Sequence, residues 1–406
     1  MRELASVAAA LEEAGHAVQF LDLMAVGSWR RLLEDALADP APEIIGISIR
    51  NIDDQDSANP RFLLEEARAV VAHCKANTRV PVVLGGAGYS IFPESVLDYT
   101  GADLGIQGEG EAAFVMLLER LAAGKALDDV PGLYIRGRGL QAPRIFERPL
   151  DRLPLPAPDL FDARLADNPS YFLPVQTRRG CPLRCSYCST PAIEGALIRQ
   201  RSAKAVVASL AQWRAAGFRR IFFVDNVFNL PEGYARALCD RITAARLDIE
   251  WRGIIYPGRV SEALVRAMAR AGCRDVSLGF ESGFQPILDA MHKRFSLDEV
   301  RGTARLLADH GIGRMGFLLL GGPGETRETA VQSLAFADSL ELETVKLTVG
   351  LRIYPDTALA RTALRDGVIA PDTDLLQPHF YISPGLEDGL RETVRTWMAD
   401  RPHWLL

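Results

Sequence analysis

Short, near-continuous apolar segments recur along this chain in two series, most of them followed by an amphipathic helical stretch. A strand with little polar alternation has to be buried on both faces, and intervening helices supply the cover, so the pattern predicts parallel sheets and an α/β fold. The first series reads as a helix near Arg2 to Ala14, strands Ala17 to Asp22 and Glu43 to Ile49, and a helix Arg61 to Ala72. Strands Val82 to Leu84 and Asp103 to Ile106 and a helix Glu111 to Ala122 follow. Gly132 to Phe146 reads as a small hairpin. Pro149, Pro154, Pro156 and Pro158 then crowd together, which suits neither helix nor strand, so a domain boundary is expected there.

The second series starts at Tyr171, with strands Phe172 to Thr177, Arg220 to Val224, Ile249 to Tyr256, Asp275 to Phe280, Arg314 to Leu320 and Val345 to Gly350. Helical stretches such as Ala203 to Ala215, Tyr234 to Ala245 and Ser261 to Ala271 lie between them. Six such units suit a partial (β/α)6 barrel better than a closed eight-unit one, and chemistry in such folds sits at the carboxyl ends of the strands. The expected division is a doubly wound domain over 1–148, a Pro-rich linker over 149–170, the barrel over 171–352 and a cap or tail over 353–406. With 46 Lys and Arg against 52 Asp and Glu, the net charge of −6 offers no general attraction for nucleic acid or an acidic membrane. No apolar run approaches the roughly 18 residues of a membrane span, and the start carries no leader pattern, so a soluble cytoplasmic protein is expected.

Three of the six cysteines fall in the stretch Thr177-Arg178-Arg179-Gly180-Cys181-Pro182-Leu183-Arg184-Cys185-Ser186-Tyr187-Cys188, just after the first strand of the second series. On a continuous helix they would share one face as small core residues, but Gly180 and Pro182 argue for a loop. Structural zinc would need a fourth ligand, and Cys239 and His292 lie far along the chain without paired spacing. Three thiolates suit a 4Fe-4S cluster with one iron left open to a substrate or cofactor.

Here the chain resembles the radical S-adenosylmethionine (SAM) superfamily, whose Cys-x3-Cys-x2-Cys loop with an aromatic before the third Cys matches Cys181, Cys185, Tyr187 and Cys188. The resemblance implies that these cysteines hold the cluster, that the methionine end of SAM chelates the open iron, and that reduction yields a 5'-deoxyadenosyl radical. It further implies a methionine contact at Asp225 and Asn226, although a loop Asp-Asn capping the next helix is the competing reading. Glu281 and Ser282, in Gly279-Phe280-Glu281-Ser282-Gly283, would bind the ribose, or Glu281 is a solvated loop carboxylate. Gly321 and Gly322, in Gly321-Gly322-Pro323-Gly324-Glu325-Thr326, would approach the adenine with backbone, or simply make a tight turn. Arg352 would pair with a carboxylate in the site, or lie at the surface. No catalytic acid or base is assigned.

The first domain resembles the Rossmann-like, flavodoxin-type cobalamin-binding domain found in one branch of that superfamily. The match lies in Gly46-Ile47-Ser48-Ile49-Arg50, Gly85-Gly86-Ala87-Gly88 and Gly108-Glu109-Gly110-Glu111, at the ends of successive strands. It implies a cobalamin site formed by Ser48, Arg50, Asn51, Gly85, Gly86, Gly108 and Glu109, with Arg50 or Asn51 filling the lower axial space. Ordinary turn glycines, and pairing of Arg50 with Asp53, Asp54 or Asp56, are the alternatives. The family's domain opens with a strand and loop before its first helix, whereas Met1 falls inside what reads as that helix. The true start is therefore expected upstream, or the domain is reduced. His379, Phe380 and Tyr381 either line a substrate pocket or pack in a core. The resemblance implies an enzyme methylating an unactivated carbon of a small molecule or peptide, with a flavodoxin- or ferredoxin-type electron donor. A cobalamin-free rearrangement or cyclisation enzyme and a non-catalytic iron-sulfur sensor are the rivals.

Overall fold

The structure is a computed structural model that describes residues 2–23 and 29–406. Its contacts divide the chain into a first unit, made of residues up to 55 with 60–160 and 192–195, and a second made of 56–59, 161–191 and 196–406.

The first unit holds a sheet in the order β1 (Ile45–Ser48), β2 (Val82–Gly85), β3 (Leu104–Ile106), β4 (Leu133–Ile135), β5 (Gly139–Leu140). β1 to β3 are parallel, and β4 and β5 add the expected antiparallel hairpin. Helices Leu64–Asn77, Pro93–Thr100 and Glu111–Ala122 connect and cover them. Val83, Leu104, Ile106, Phe114, Leu117 and Leu133 form a core completed by Leu11 from helix Arg2–Glu13. Gly46 is needed there, because an added Cβ would lie 3.0 Å from the Phe114 ring.

One expected strand is missing. Ala17 to Asp22 has no regular secondary structure. A strand exists only by pairing, and β1 bonds β2 alone among the described residues, so Val18 packs on the core by its side chain without a ladder. Met1, read as lying inside the first helix, is outside the described residues.

The second unit is built on a parallel sheet in the order β16, β13, β12, β11, β10, β9, β6. In chain order its strands are β6 (Leu173–Val175), β9 (Arg220–Phe223), β10 (Glu250–Ile255), β11 (Cys273–Glu281), β12 (Gly313–Leu320), β13 (Thr344–Val349) and β16 (Trp404–Leu405). Two small antiparallel pairs accompany it: β7 (Arg178–Arg179) with β8 (Arg199–Gln200), and β14 (Leu351–Arg352) with β15 (Phe380–Tyr381). The partial barrel was read from six strands. The seventh, β16, comes from the tail expected to be a cap, and two residues are too few to show a period.

Along the barrel strands, fully buried residues alternate with half-buried ones. The buried set, including Ile221, Phe223, Trp251, Val276 and Leu278, faces the helices; Phe280, in the same set, stacks edge-on with Phe336 of helix Arg327–Ser339. The half-buried set lines the inner face. Helices start at capping side chains, Ser202, Ser261, Ser296 and Thr326, the last two in full capping boxes. The starts capped by Ser261, Ser296 and Thr326 follow β10, β11 and β12 and so lie at the carboxyl mouth, whereas helix Glu232–Ala245 after β9 has no side-chain cap. Among the described residues no helix is long and apolar enough to cross a membrane.

Candidate active site

β6 ends at Val175, and the chain enters the cysteine loop through Thr177 and Arg178. Asp225, just past β9, fixes that entry. Its Oδ1 accepts from Thr177 N at 2.7 Å and Arg178 N at 3.0 Å, and its Oδ2 accepts from Thr177 Oγ1 at 2.6 Å and pairs with the Arg178 guanidinium, whose Nε lies 3.1 Å away and donates to Thr177 Oγ1. Both oxygens of this buried carboxylate are thus engaged by residues 177 and 178, so Asp225 positions the loop entry rather than offering the open oxygen expected for the methionine ammonium. Arg178 passes on to the carbonyls of Phe228 and Leu230 and lies over the rings of Phe228 and Tyr234. Asn226, beside it, is half-buried at the same strand end.

Residues 181 to 189 form no helix, and Gly180 and Arg184 adopt left-handed backbone at φ +86° and +55°. The loop is tied down from outside: Ser186 N donates to Met291 O at 3.0 Å, and Ser186 O accepts from Leu359 N at 2.8 Å. Cys181, Cys185 and Cys188 are half-buried free thiols, whereas Cys74, Cys239 and Cys273 are buried in helices or strands. Burial pushes the Cys181 thiol up to about 11 and raises Cys185, while the nearby Lys293 charge pulls both down. Among the described residues no three His, Cys, Asp or Glu side chains converge on a single-ion site. Three thiols close enough to feel one another's charge, yet not gathered on one point, suit a cluster whose corners are spread over several irons.

Lys293 was not singled out from the sequence. It is buried, its Nζ lies 3.0 Å from Glu281 Oε1, and it sits 5.4 Å from the centre of the Tyr187 ring. Tyr187 OH donates to the same Oε1 at 3.1 Å. Burial alone would push the Lys293 ammonium down, but Glu281, Tyr187 and Cys185 hold it well above its usual value. Tyr187 is likewise raised, by burial first and then by Glu281. Glu281 stands at φ +66°, next to a register shift between β11 and β12, and its Oε2 has no partner among the described residues. One carboxylate oxygen thus remains for a ligand hydroxyl.

Ser282, expected at the ribose, is fully buried, with Oγ 3.0 Å from Ser333 Oγ. The turn after β12 also differs from expectation. The amides of Gly321 and Gly322 both donate to Glu325 Oε2, the second at 3.2 Å, so they are not free to meet adenine. Gly321, at φ +96°, instead presents its carbonyl to Ser383 N at 3.0 Å. Arg352 is buried and donates to the carbonyls of Ile353, Leu375 and Leu376, which fastens the carboxyl-terminal segment. His379 and Phe380 line a cleft of about 460 Å³ with Val368, Ile369 and Thr373, while Tyr381 is core and donates to Asp366.

Glu325 yields a pH prediction. Its Oε1 is buried without a partner among the described residues, and burial pushes the carboxyl up to about 7, against the opposing pull of the two glycine amides. The folded value lies above the unfolded 4.5, so the folded state holds this proton more tightly. Stability from this group is complete below about pH 4.5 and is lost as pH rises to about 7. Glu325→Gln keeps an oxygen for the amides and carries no charge. It is expected to be more stable than the parent above pH 7, by up to about 3 kcal/mol, and similar to it near pH 4.5. Denaturant unfolding at the two pH values measures the difference.

In the first unit, the carboxyl ends of β1 and β2 meet through glycines. Ile49 N donates to Gly85 O, and Gly88 N to Ile49 O at 2.9 Å. A Cβ on Gly86, at φ +94°, would lie 2.6 Å from Ile49 O and 2.7 Å from Ser48 Oγ. Gly86 is thus required for this packing, whereas a Cβ on Gly85 would meet only Ile106 O at 3.8 Å. Gly108 N donates to Ser90 Oγ and Glu109 Oε2 accepts from Glu147 N, so these two hold their own loops together. Arg50 and Asn51 are exposed, with no hydrogen-bond or ion-pair partner among the described residues. Asp53, Asp54 and Asp56 accept from the amides of Gln55, Arg61 and Ala58, and pairing with Arg50 is not seen. Two unpaired polar side chains beside an open glycine backbone fit a large ring system fringed with amides.

Comparison with known proteins agrees with both halves. A B12 binding domain model matches residues 2–118, and a Radical SAM superfamily model matches residues 175–337. An uncharacterized methyltransferase of Pyrococcus horikoshii is 29% identical over 72% of this chain, which spans 65% of that protein. The tryptophan 2-C-methyltransferase of Streptomyces laurentii is 26% identical over 88% of this chain and 71% of its own length. In fold, the chain is similar to the radical SAM methyltransferase TsrM of Kitasatospora setae, solved with cobalamin and a [4Fe-4S] cluster. That match has a TM-score of 0.89 at 24% identity, over 100% of this chain and 89% of that one. A glycine-edged parallel sheet followed by a partial barrel with three thiols at its mouth, matched in order by the two family models, places the chain in the radical SAM superfamily, in the branch that carries a cobalamin-binding domain and in which these relatives are named methyltransferases.

Proposed function

We propose that this chain is a cobalamin-dependent radical SAM methyltransferase acting on a carbon of a small molecule. The observation that carries the reading is the cysteine loop, anchored by Asp225 and Met291 and set against the buried Lys293, Glu281 and Tyr187 network, in one chain with the open strand ends at Arg50 and Asn51. Cys181, Cys185 and Cys188 would hold a 4Fe-4S cluster. When bound, the cluster, SAM and the corrinoid supply the one-electron and methyl-carrying chemistry that no side chain can.

The protein's own part is placement. Thr177, Arg178 and Asp225 hold the loop in register with β9. Glu281 Oε2 would accept from a ribose hydroxyl, and Asn226 would meet the methionine ammonium. Arg50 would lie against the corrinoid, where a guanidinium is a poor ligand for a metal. An external donor of flavodoxin or ferredoxin type would supply electrons.

Protein produced anaerobically with hydroxocobalamin is expected to retain corrinoid and cluster absorbance together. With a low-potential reductant it should consume SAM and deliver the labelled methyl group of methyl-labelled SAM to the bound corrinoid. Cluster without corrinoid would point to the cobalamin-free enzyme. Full cofactor content without SAM consumption would point to a sensor.

A further inference from the structure

One register layer crosses the inner face of the barrel: Pro174 on β6 pairs with Phe222 on β9, Phe222 with Arg252 on β10, Arg252 with Asp275 on β11, and Asp275 with Gly313 on β12. These positions alternate with the fully buried residues that face the helices, so they look into the barrel. Arg252 lies over two rings, 4.1 Å from the centre of Phe172 and 4.9 Å from that of Phe222. Its guanidinium has no hydrogen-bond or ion-pair partner among the described residues, and its Nε is buried. The Asp275 carboxylate is likewise half-buried with no such partner, raised by burial and drawn back only by the Arg252 charge. Next to it Gly313 contributes no side chain; a Cβ there would come within 3.3 Å of the Asp275 Cβ.

Opposite charges on directly paired residues of neighbouring strands ordinarily close into an ion pair, about 5 Å being the gap between their Cβ atoms. Here the rings hold the guanidinium aside, and both charges stay separately available in a half-desolvated space. We propose that Arg252 and Asp275 form a receptor for the head group of a free α-amino acid. This deepens the small-molecule reading above and rests on it. The carboxylate would take the guanidinium's paired N–H edge and the ammonium would donate to Asp275. A simple anion would leave Asp275 facing it as a like charge, and a simple amine would do the same to Arg252, so a head carrying both charges is the complement. Arg252 lies three residues before the end of β10 and Asp275 six before the end of β11, so the pair sits roughly 10 to 20 Å below the mouth.

The test is anaerobic titration calorimetry of the full-length protein against each standard L-amino acid, with the corrinoid and cluster content of the same sample recorded. At least one amino acid is expected to bind, with its methyl ester and its decarboxylated amine each weakened at least ~10-fold. Arg252→Met and Asp275→Asn should each weaken it at least ~10-fold. Neither side chain is hydrogen-bonded within the protein, so both variants should keep the parent's cofactor content and unfolding midpoint. No binding by any of these amino acids, or equal binding by the two variants, overturns the proposal. A sample lacking corrinoid counts against the methyltransferase reading instead, because the calorimetry still decides this one.

Discussion

Cys185→Ala is expected to give a folded protein that holds no iron-sulfur cluster and consumes no SAM. Cys185 sits between the other two loop cysteines, next to Ser186, which is bonded at both its amide and its carbonyl, and its thiol feels the Lys293 charge. The backbone anchors do not depend on the thiol, so the loss should be confined to the site. Two remaining thiolates leave a cluster short of a protein corner, and its iron should be released on desalting. The measurement is iron and sulfide content with visible absorbance, beside an unfolding curve to confirm the fold. A variant that retains full cluster absorbance would remove Cys185 from the ligand set. Cys239→Ala, which alters a thiol buried in helix Glu232–Ala245, should keep the cluster.

Asp225→Ala should be the most damaging single change to the frame around that site. It strands the buried Arg178 guanidinium and two amide donors at once, and removing one partner of a buried ion pair costs about 3–5 kcal/mol. Because the orphaned amides belong to Thr177 and Arg178, at the entrance to the loop, iron content should fall together with the denaturation midpoint. Asp225→Asn preserves an acceptor and should recover part of both. A loss below about 1 kcal/mol in the alanine variant would mean that water reaches the pocket and replaces the carboxylate.

The architecture was legible because it depends on local periodicity. The barrel strands from Arg220 to Val349 show themselves as apolar runs between helices with ordinary caps, and the cysteine loop announces itself by spacing that Gly180 and Pro182 keep from being helical. The roles of several site residues were not legible, because they are decided by what arrives from distant sequence. Asp225 looked like a ligand contact until three donors and the guanidinium charge from residues 177 and 178 engaged it. Gly321 and Gly322 looked open until Glu325 folded back on their amides; the Glu stood in the quoted motif, three residues on, and a buried carboxylate opposite a glycine turn could have been suspected. Lys293 carried no signal at all, since it meets Glu281 only because β11 ends where helix Gln285–Ala290 turns back. The segment Ala17 to Asp22 shows the opposite failure, a strand pattern that pairs with none of the described strands.

The cysteines divide into two chemical populations. Cys74, Cys239 and Cys273 are buried and so out of reach of reagents in the folded protein, whereas the three loop thiols are half-buried. The accessible cysteine sulfur is thus gathered in one loop. Alkylating reagents and oxygen should mark residues 181, 185 and 188 first, and counting modified thiols before and after unfolding becomes a direct gauge of how many molecules in a preparation carry their cluster.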